Sequence, residues 1–165
     1  MKLQISHLKD GLHSDHLLDS ASAFGFENPE DFADKIAVTL NIDKRGSDFF
    51  IKFQVEAKMV LRCDRCLEPF ETTISDHSSA LYTTKEEFVS DDSSTYLIRD
   101  GDSELEIGTE VREIILLAVP IKALCAENCK GICKCGQNLN KEACLCTKKD
   151  IDPRWDALKK LKALN

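Results

Sequence analysis

The chain has 165 residues, 31% of them charged and 42% hydrophobic, with a formal net charge of −7, the composition of an ordinary soluble globular protein. Its longest apolar run, IILLAVPI at 114–121, is far short of the roughly 20 residues that cross a bilayer, and the opening MKLQISHLKDG lacks the apolar core of a secretory signal, so no membrane partner and a cytoplasmic location are expected. In a reducing compartment the eight cysteines point to metal ligands or redox thiols rather than to disulfides.

Residues 1–35 carry no strong period. MKLQISHL alternates weakly, as a strand would, and NPEDFADK (28–35) reads as a turn or short helical piece. Ile36, Val38, Leu40 and Ile42 then alternate up to a turn at DKRGSD (43–48). Phe49, Ile51, Phe53, Val55, Ala57, Met59 and Leu61 follow on one face, opposite Lys52, Gln54, Glu56, Lys58 and Arg62. The two runs predict a half-buried antiparallel hairpin. CDRC (63–66) turns the chain and PFETTI (69–74) returns it. The acidic, Ser/Thr-rich stretch 83–95 reads as a loop, and YLIRDGDSELEI (96–107) as a further hairpin turning at DGDS.

The period then changes to 3.6, with Val111, Ile114, Ile115 and Ala118 on one helical face and Pro120 as the stop. Leu116, Leu117 and Val119 widen the apolar surface, so this helix is expected to be deeply packed. A cysteine tract follows at 125–146. DPRWDALKKLKAL (152–164) then opens with Asp152 as N-cap and Pro153 in the first turn, and Trp155, Leu158 and Leu161 share one face. The predicted class is α+β: an antiparallel β-hairpin sheet packed by one buried helix, with a Cys-rich metal-binding C-terminal segment and a short terminal helix. Residues 1–120 form the body and 121–165 the basic tail, read together as one folding unit.

The cysteines fall in pairs, 63/66, 125/129, 133/135 and 144/146, and each pair sits in a turn that presents two sulfurs to one tetrahedral ion. Eight thiols divide into two quartets. Cys133, Cys135, Cys144 and Cys146 close locally; Cys63, Cys66, Cys125 and Cys129 tie the hairpin tip to the segment after the helix. A single site with spare thiols is the alternative, so one or two structural zinc ions are expected. Gly131 and Gly136 sit where such turns need a backbone free of Cβ crowding, and Asn138 and Asn140 can brace the loop. An iron–sulfur centre ranks lower because the tract has no C-x₂-C-x₂-C run, and CDRC as a redox pair ranks lower because it has no βαβ context. His13-x-x-His16 reads as surface loop histidines. No phosphate loop, nucleophile elbow or HExxH helix is present, and a quartet filled by thiolates leaves no open position for water. A non-enzyme without a small-molecule substrate is expected.

Charge is uneven. Residues 121–165 hold ten Lys and Arg against five acids, while residues 1–120 hold twelve against 24. A basic end on an acidic body suits phosphate binding, although solubilising a cysteine-rich segment explains the lysines equally well.

CDRCLEPF (63–70), EIILLAVPIKALC (113–125), CKGICKCGQNLN (129–140), CLC (144–146) and DPRWDALKKL (152–161) occur in order. Together they resemble the YceD family, the bacterial large-ribosomal-RNA-subunit accumulation proteins with plant organellar relatives. The resemblance implies a ribosome biogenesis factor that supports accumulation of 23S ribosomal RNA and the large subunit, with no catalytic activity. Many relatives carry C-P-x-C-G where this chain has CKCG (133–136), one residue shorter between the thiols. On this view the tail contacts 23S ribosomal RNA phosphates through Lys148, Lys149, Arg154, Lys159, Lys160 and Lys162. The competing partner is a basic large-subunit ribosomal protein held by the acidic body, and a thiol or metal sensor is a third class.

Overall fold

The computed structural model describes residues 1–89, 94–144 and 146. Its centre is the alternating pair read from the sequence. Strand β3 (Ile36–Arg45) and strand β4 (Asp48–Arg62) pair antiparallel from Ala37↔Glu56 to Arg45↔Asp48. Gly46 opens their two-residue loop at φ +61°, the positive value that a II′ turn needs at its first position. Ile36, Val38, Leu40, Ile42, Ile51, Phe53 and Val55 are all buried, and their polar neighbours face out. Strand β5 (Pro69–Thr83) returns along β4 over fourteen register pairs, from Arg62↔Pro69 to Phe49↔Tyr82.

The sheet is larger than the predicted hairpin. Strand β2 (Gly11–Asp19), absent from the sequence reading, pairs antiparallel with all of β3 from Ile36 to Lys44. Strand β6 (Thr95–Leu97) joins the other side, parallel to β5, giving the order β2-β3-β4-β5-β6. Strand β1 (Lys2–Gln4) pairs with β7 (Glu104–Glu106) in a separate two-stranded sheet. The predicted hairpin at 96–107 is therefore corrected. Its turn exists, with Asp102 N–H on the Arg99 carbonyl at 3.1 Å and Gly101 at φ +90°, but its arms pair elsewhere. Ile98 N–H reaches the Thr83 carbonyl, while Ile5 N–H reaches that of Ser103, so the turn hands the chain from one sheet to the other. The predicted loop at 83–95 begins as the last residue of β5 and holds a 3₁₀ turn at Glu86–Phe88; residues 90–93 lie outside the described residues.

Helix α1 (Gly108–Ala118) lies against the inner face of β4 and β5 and buries Val111, Ile114 and Ile115. A second correction falls here: Leu116 and Leu117 are 57% and 84% exposed. At 100° per residue they stand off the face that Val111, Ile114 and Ile115 define, and no element covers them among the described residues. Glu110 is the buried carboxylate of this face, receiving the Ser78 hydroxyl at 2.8 Å and the Tyr96 hydroxyl at 2.6 Å. Those bonds provide the partners that a buried acid requires. They also pin β6, whose Tyr96 ring stacks on Tyr82 at 5.0 Å. Among the described residues no layer covers the outer face of the sheet.

Candidate metal centres

Strand β4 leads straight into the CDRC knuckle at the far end of the β4–β5 hairpin. Cys63 N–H bonds the Glu68 carbonyl at 3.0 Å and Leu67 N–H the Cys63 carbonyl at 2.8 Å. The knuckle is tight enough to place Leu67 at φ +60°, the one described non-glycine residue with positive φ. After α1 the chain comes back beside it: Asp64 N–H meets the Ala123 carbonyl at 2.9 Å, and Ala123 N–H meets the Asp64 carboxylate at 2.7 Å. This doubled contact delivers Cys125 and Cys129 to Cys63 and Cys66.

The four sulfurs converge. Cys63 and Cys129 Sγ stand 3.8 Å apart, Cys66 and Cys125 Sγ 3.7 Å apart, and all four lie within 4.8 Å of one another. Four sulfurs bound at about 2.3 Å to one tetrahedral ion would be separated by about 3.8 Å, so this quartet fits a zinc-sized ion. Three of the four cysteines are buried, in a small cluster completed by Phe70 and Leu124.

Cys133, Cys135, Cys144 and Cys146 form the other quartet, again within 4.8 Å, with Cys135 and Cys144 Sγ 3.4 Å apart. The CKCG turn that supplies its first half closes through Gly136 N–H on the Cys133 carbonyl at 2.9 Å, with Gly136 at φ +86°. The shortened spacing is thus accommodated by a glycine conformation and does not drive either sulfur away. Two of these cysteines are exposed and two half-buried. The space between the sulfurs is thiol-lined in both quartets, and among the described residues no other group of three or more His, Cys, Asp or Glu side chains gathers its ligand atoms in this way.

The thiols are electrostatically coupled. The backbone N–H of Cys125 on its sulfur, followed by those of Cys66 and Arg65, lowers Cys63 to about 6 despite burial. Its neighbour Cys125 is pushed up to about 12, chiefly by Cys63 itself and then by burial. Cys135 falls to about 7 through the Gln137 N–H, while Cys146 rises to about 12 beside Cys144 and Cys135. Without a cation each quartet concentrates its charge on a favoured sulfur, because a second thiolate alongside is repelled. A divalent ion reverses that penalty and draws the remaining protons off.

The supporting residues divide into expected and missed. Asn138 and Asn140 do brace the tract: Asn140 donates to Cys129 Sγ at 3.2 Å and accepts Lys130 N–H at 2.8 Å, while Asn138 accepts Asn140 N–H at 2.9 Å. Gly131, at φ +77°, is needed for a further reason, since a Cβ there would meet the Arg65 carbonyl at 3.0 Å. Three supports were not singled out from sequence. The Arg65 guanidinium donates to the carbonyls of Glu127 and Cys129 at 2.9 and 3.0 Å. Asp64 holds Ala123 as described. Glu68 receives Lys141 at 2.7 Å and Asn138 at 3.3 Å, and Lys141 first and then Asn138 hold its carboxyl below the usual range. Their one signal is position: charged residues inside or beside a thiol knuckle are placed to satisfy its carbonyls and N–H groups.

The histidine pair is corrected. His13 and His16 lie on β2, not in a loop, and an odd spacing along a strand sends them to opposite faces. His13 Nε2 lies 2.7 Å from the Lys9 carbonyl and His16 Nδ1 3.1 Å from Thr39 Oγ1. The terminal helix expected at 152–164 and the phosphate-binding candidates Lys148, Lys149, Arg154, Lys159, Lys160 and Lys162 lie outside the described residues.

Comparison with known proteins gives a family match: the model described as Large ribosomal RNA subunit accumulation protein YceD fits residues 51–162. Two curated relatives are named Large ribosomal RNA subunit accumulation protein YCED homolog 1, chloroplastic. The one from Arabidopsis thaliana is 38% identical over 60 residues, which take in 36% of this chain and 19% of the relative. The one from Zea mays is 28% identical over 146 aligned positions, covering 70% of this chain and 50% of the relative. The chain thus aligns with half or less of the length of each. No solved structure matches. No described helix is long and apolar enough to cross a membrane.

Proposed function

The chain belongs to the YceD family, and on that premise we propose that it is a non-enzymatic ribosome biogenesis factor, required for 23S ribosomal RNA and the large subunit to accumulate. The observation that carries the reading is the family match across residues 51–162, which takes in all eight cysteines. The two quartets support a structural role for zinc: four sulfurs at tetrahedral spacing satisfy one ion completely and leave no position for a reacting water. In this reading the metals are architecture, holding residues 121–146 on the hairpin tip. The lysine-rich residues 148–162 are the ones proposed to meet ribosomal RNA phosphates, with affinity from counterion release and little sequence preference. The site of action is wherever large subunits are assembled, the cytoplasm or an organelle such as the chloroplast of the relatives' names.

Depletion of the protein tests this. The ratio of 23S to 16S RNA is expected to fall and to recover with the wild-type gene; an unchanged ratio would refute the proposal. Capture of the native protein, with RNA sequencing and protein identification from one sample, separates an RNA partner from a basic large-subunit ribosomal protein. The protein alternative has its own support in the acid excess of residues 1–120. Purified protein is expected to be colourless with two zinc ions per chain; a brown sample would mark iron–sulfur instead.

A further inference from the structure

We infer that the outer face of the five-stranded sheet, which no described element covers, is a docking platform for single-stranded RNA, distinct from the lysine-rich residues 148–162. This rests on the proposed role in ribosomal RNA accumulation and adds a contact surface that the cysteine and lysine motifs do not point to.

The register lays this face out as rows. His16, Thr39, Gln54 and His77 are successive partners across β2, β3, β4 and β5. Ser14, Asn41, Lys52 and Ser79 form the adjacent row, and Leu12, Asp43, Phe50 and Leu81 the one beyond. An open groove of ≈ 950 Å³ runs over the β3, β4 and β5 members of the first two rows and on to Glu56 and Ser75. Their side chains have no other partner among the described residues than His16 with Thr39 and His77 Nδ1 with the Asp76 carboxylate at 3.5 Å; Asn41, Gln54 and Ser79 present amides and a hydroxyl to the groove. Phe50, 43% exposed, stands in the third row, next to the row of Lys52 and outside the groove itself.

Charge sets this face apart from the rest of the body. It carries Arg45, Lys52, Lys58 and Arg62, a third of the body's bases, but only Asp43, Asp48, Glu56 and Glu71, a sixth of its acids. Three of those acids are already paired, Asp43 with Arg45 at 2.6 Å, Asp48 with Lys85 at 2.7 Å and Glu71 with Lys58 at 2.7 Å. Lys52 and Arg62 have no ion pair among the described residues.

An unpaired ammonium, an exposed aromatic ring and a field of uncommitted amides and hydroxyls match what unstacked RNA offers: phosphate, a base face and base edges. A protein partner is served best by an apolar centre, whereas the apolar residues here flank the polar rows, Leu12, Phe50 and Leu81 on one side and Leu18 and Ala37 on the other. The free edges are also partly blocked against strand addition. Asp15 takes the N–H of His16 and Asp76 that of His77, each at 2.8 Å.

The test is a binding titration of the metal-loaded full chain with single-stranded fragments of 23S RNA across salt concentrations. Four variants are compared: Phe50→Ala, Lys52→Gln, Arg99→Glu on the β6–β7 turn as a charge control, and Lys159→Glu/Lys160→Glu in the tail. Phe50→Ala is expected to weaken binding roughly tenfold, as loss of one stacking platform does. Lys52→Gln is expected to lower the slope of log K against log salt by about one, with Arg99→Glu at less than about twofold. Circular dichroism and zinc content must match wild type, which both exposed sites permit. If wild type binds and only the tail variant weakens, the platform is refuted while the biogenesis reading stands; if wild type binds no RNA, the platform is refuted outright. A 23S ratio that does not respond to depletion, with RNA binding intact, removes the biogenesis reading instead.

Discussion

Replacing Cys129 by Ser removes one buried ligand of the quartet that ties the tract to the sheet. Among the described residues of 125–146 only Cys129 and Gly131 are buried, so apolar burial contributes little to ordering this 22-residue tract. At about 1 kcal/mol per residue or more, that ordering costs at least about 22 kcal/mol. A structural zinc ion supplies roughly 10–16 kcal/mol, so two ions match the cost and one does not. The variant is therefore expected to hold one ion per chain and to open where the tract meets the body. Hydrogen exchange reads this directly: protection falls at Ile132 and Asp64, whose N–H groups bond the Arg65 and Ala123 carbonyls. Cys133 and Gly136 keep theirs, because their bonds close within the other quartet's turn. The strand amides of β3, β4 and β5 also keep theirs, since the cysteine cluster is distinct from the main core. Two ions still bound, or sheet and tract opening together, would refute this division of labour.

Asn140→Ala removes the N–H to Cys129 Sγ and the acceptor for Lys130; metal affinity measured by chelator competition is expected to fall 10–100-fold, roughly the range for a ligand's supporting partner. Gly131→Ala forces a side chain into left-handed backbone and against the Arg65 carbonyl, and is expected to cost about 1–2 kcal/mol of knuckle stability at the least, read as faster exchange at Ile132. Metal binding at pH 7.5 is expected to release about two to three protons per ion, because Cys63 and Cys135, at about 6 and 7, are already thiolates while Cys125 and Cys146, at about 12, are thiols. The sign follows: acidification through 7 and then 6 protonates the favoured sulfurs and metal is lost, which titration calorimetry in two buffers of different ionisation enthalpy will check. Leu117→Asp, on the exposed side of α1, is expected to change stability by no more than about 0.5 kcal/mol in thermal melts, whereas Ile115→Ala in the core costs about 2–5 kcal/mol.

What could be read from the chain alone followed burial. Phe49 to Met59 alternate because one side of β4 is wholly inside, and Val111, Ile114 and Ile115 repeat because one side of α1 is. The quartets were legible because paired thiols have few other uses. Strand β2 was not, since it is an edge: its inward residues His13 and Leu17 are half-buried and Asp15 is exposed, so no clean alternation is imposed. The second half of β5 escaped for the same reason, with Asp76 and Ser78 on its inner side. The pairing of Leu3 with Leu105 has no local signal at all; it is decided by which strands the core leaves free.

The proposed sheet platform and the cysteine knuckle stand at opposite ends of one hairpin. Phe50 and Lys52 lie near the start of β4, and Cys63 immediately follows its last residue. Cys63 lies eleven positions beyond Lys52 along extended chain, a span of about 35 Å, and the buried residues Phe53, Val55, Ala57 and Met59 run between them within the main core. A strand held by that core does not transmit the loss of a metal at its tip, since its ladder to β3 and β5 persists without the knuckle. Chelation should then remove the tail's share of RNA affinity while leaving the sheet-face share and its dependence on Phe50 intact. If Phe50→Ala had no effect on chelated protein yet weakened the metal-loaded form, the platform would depend on the metal, and the body and the knuckle would have to be regarded as one coupled unit.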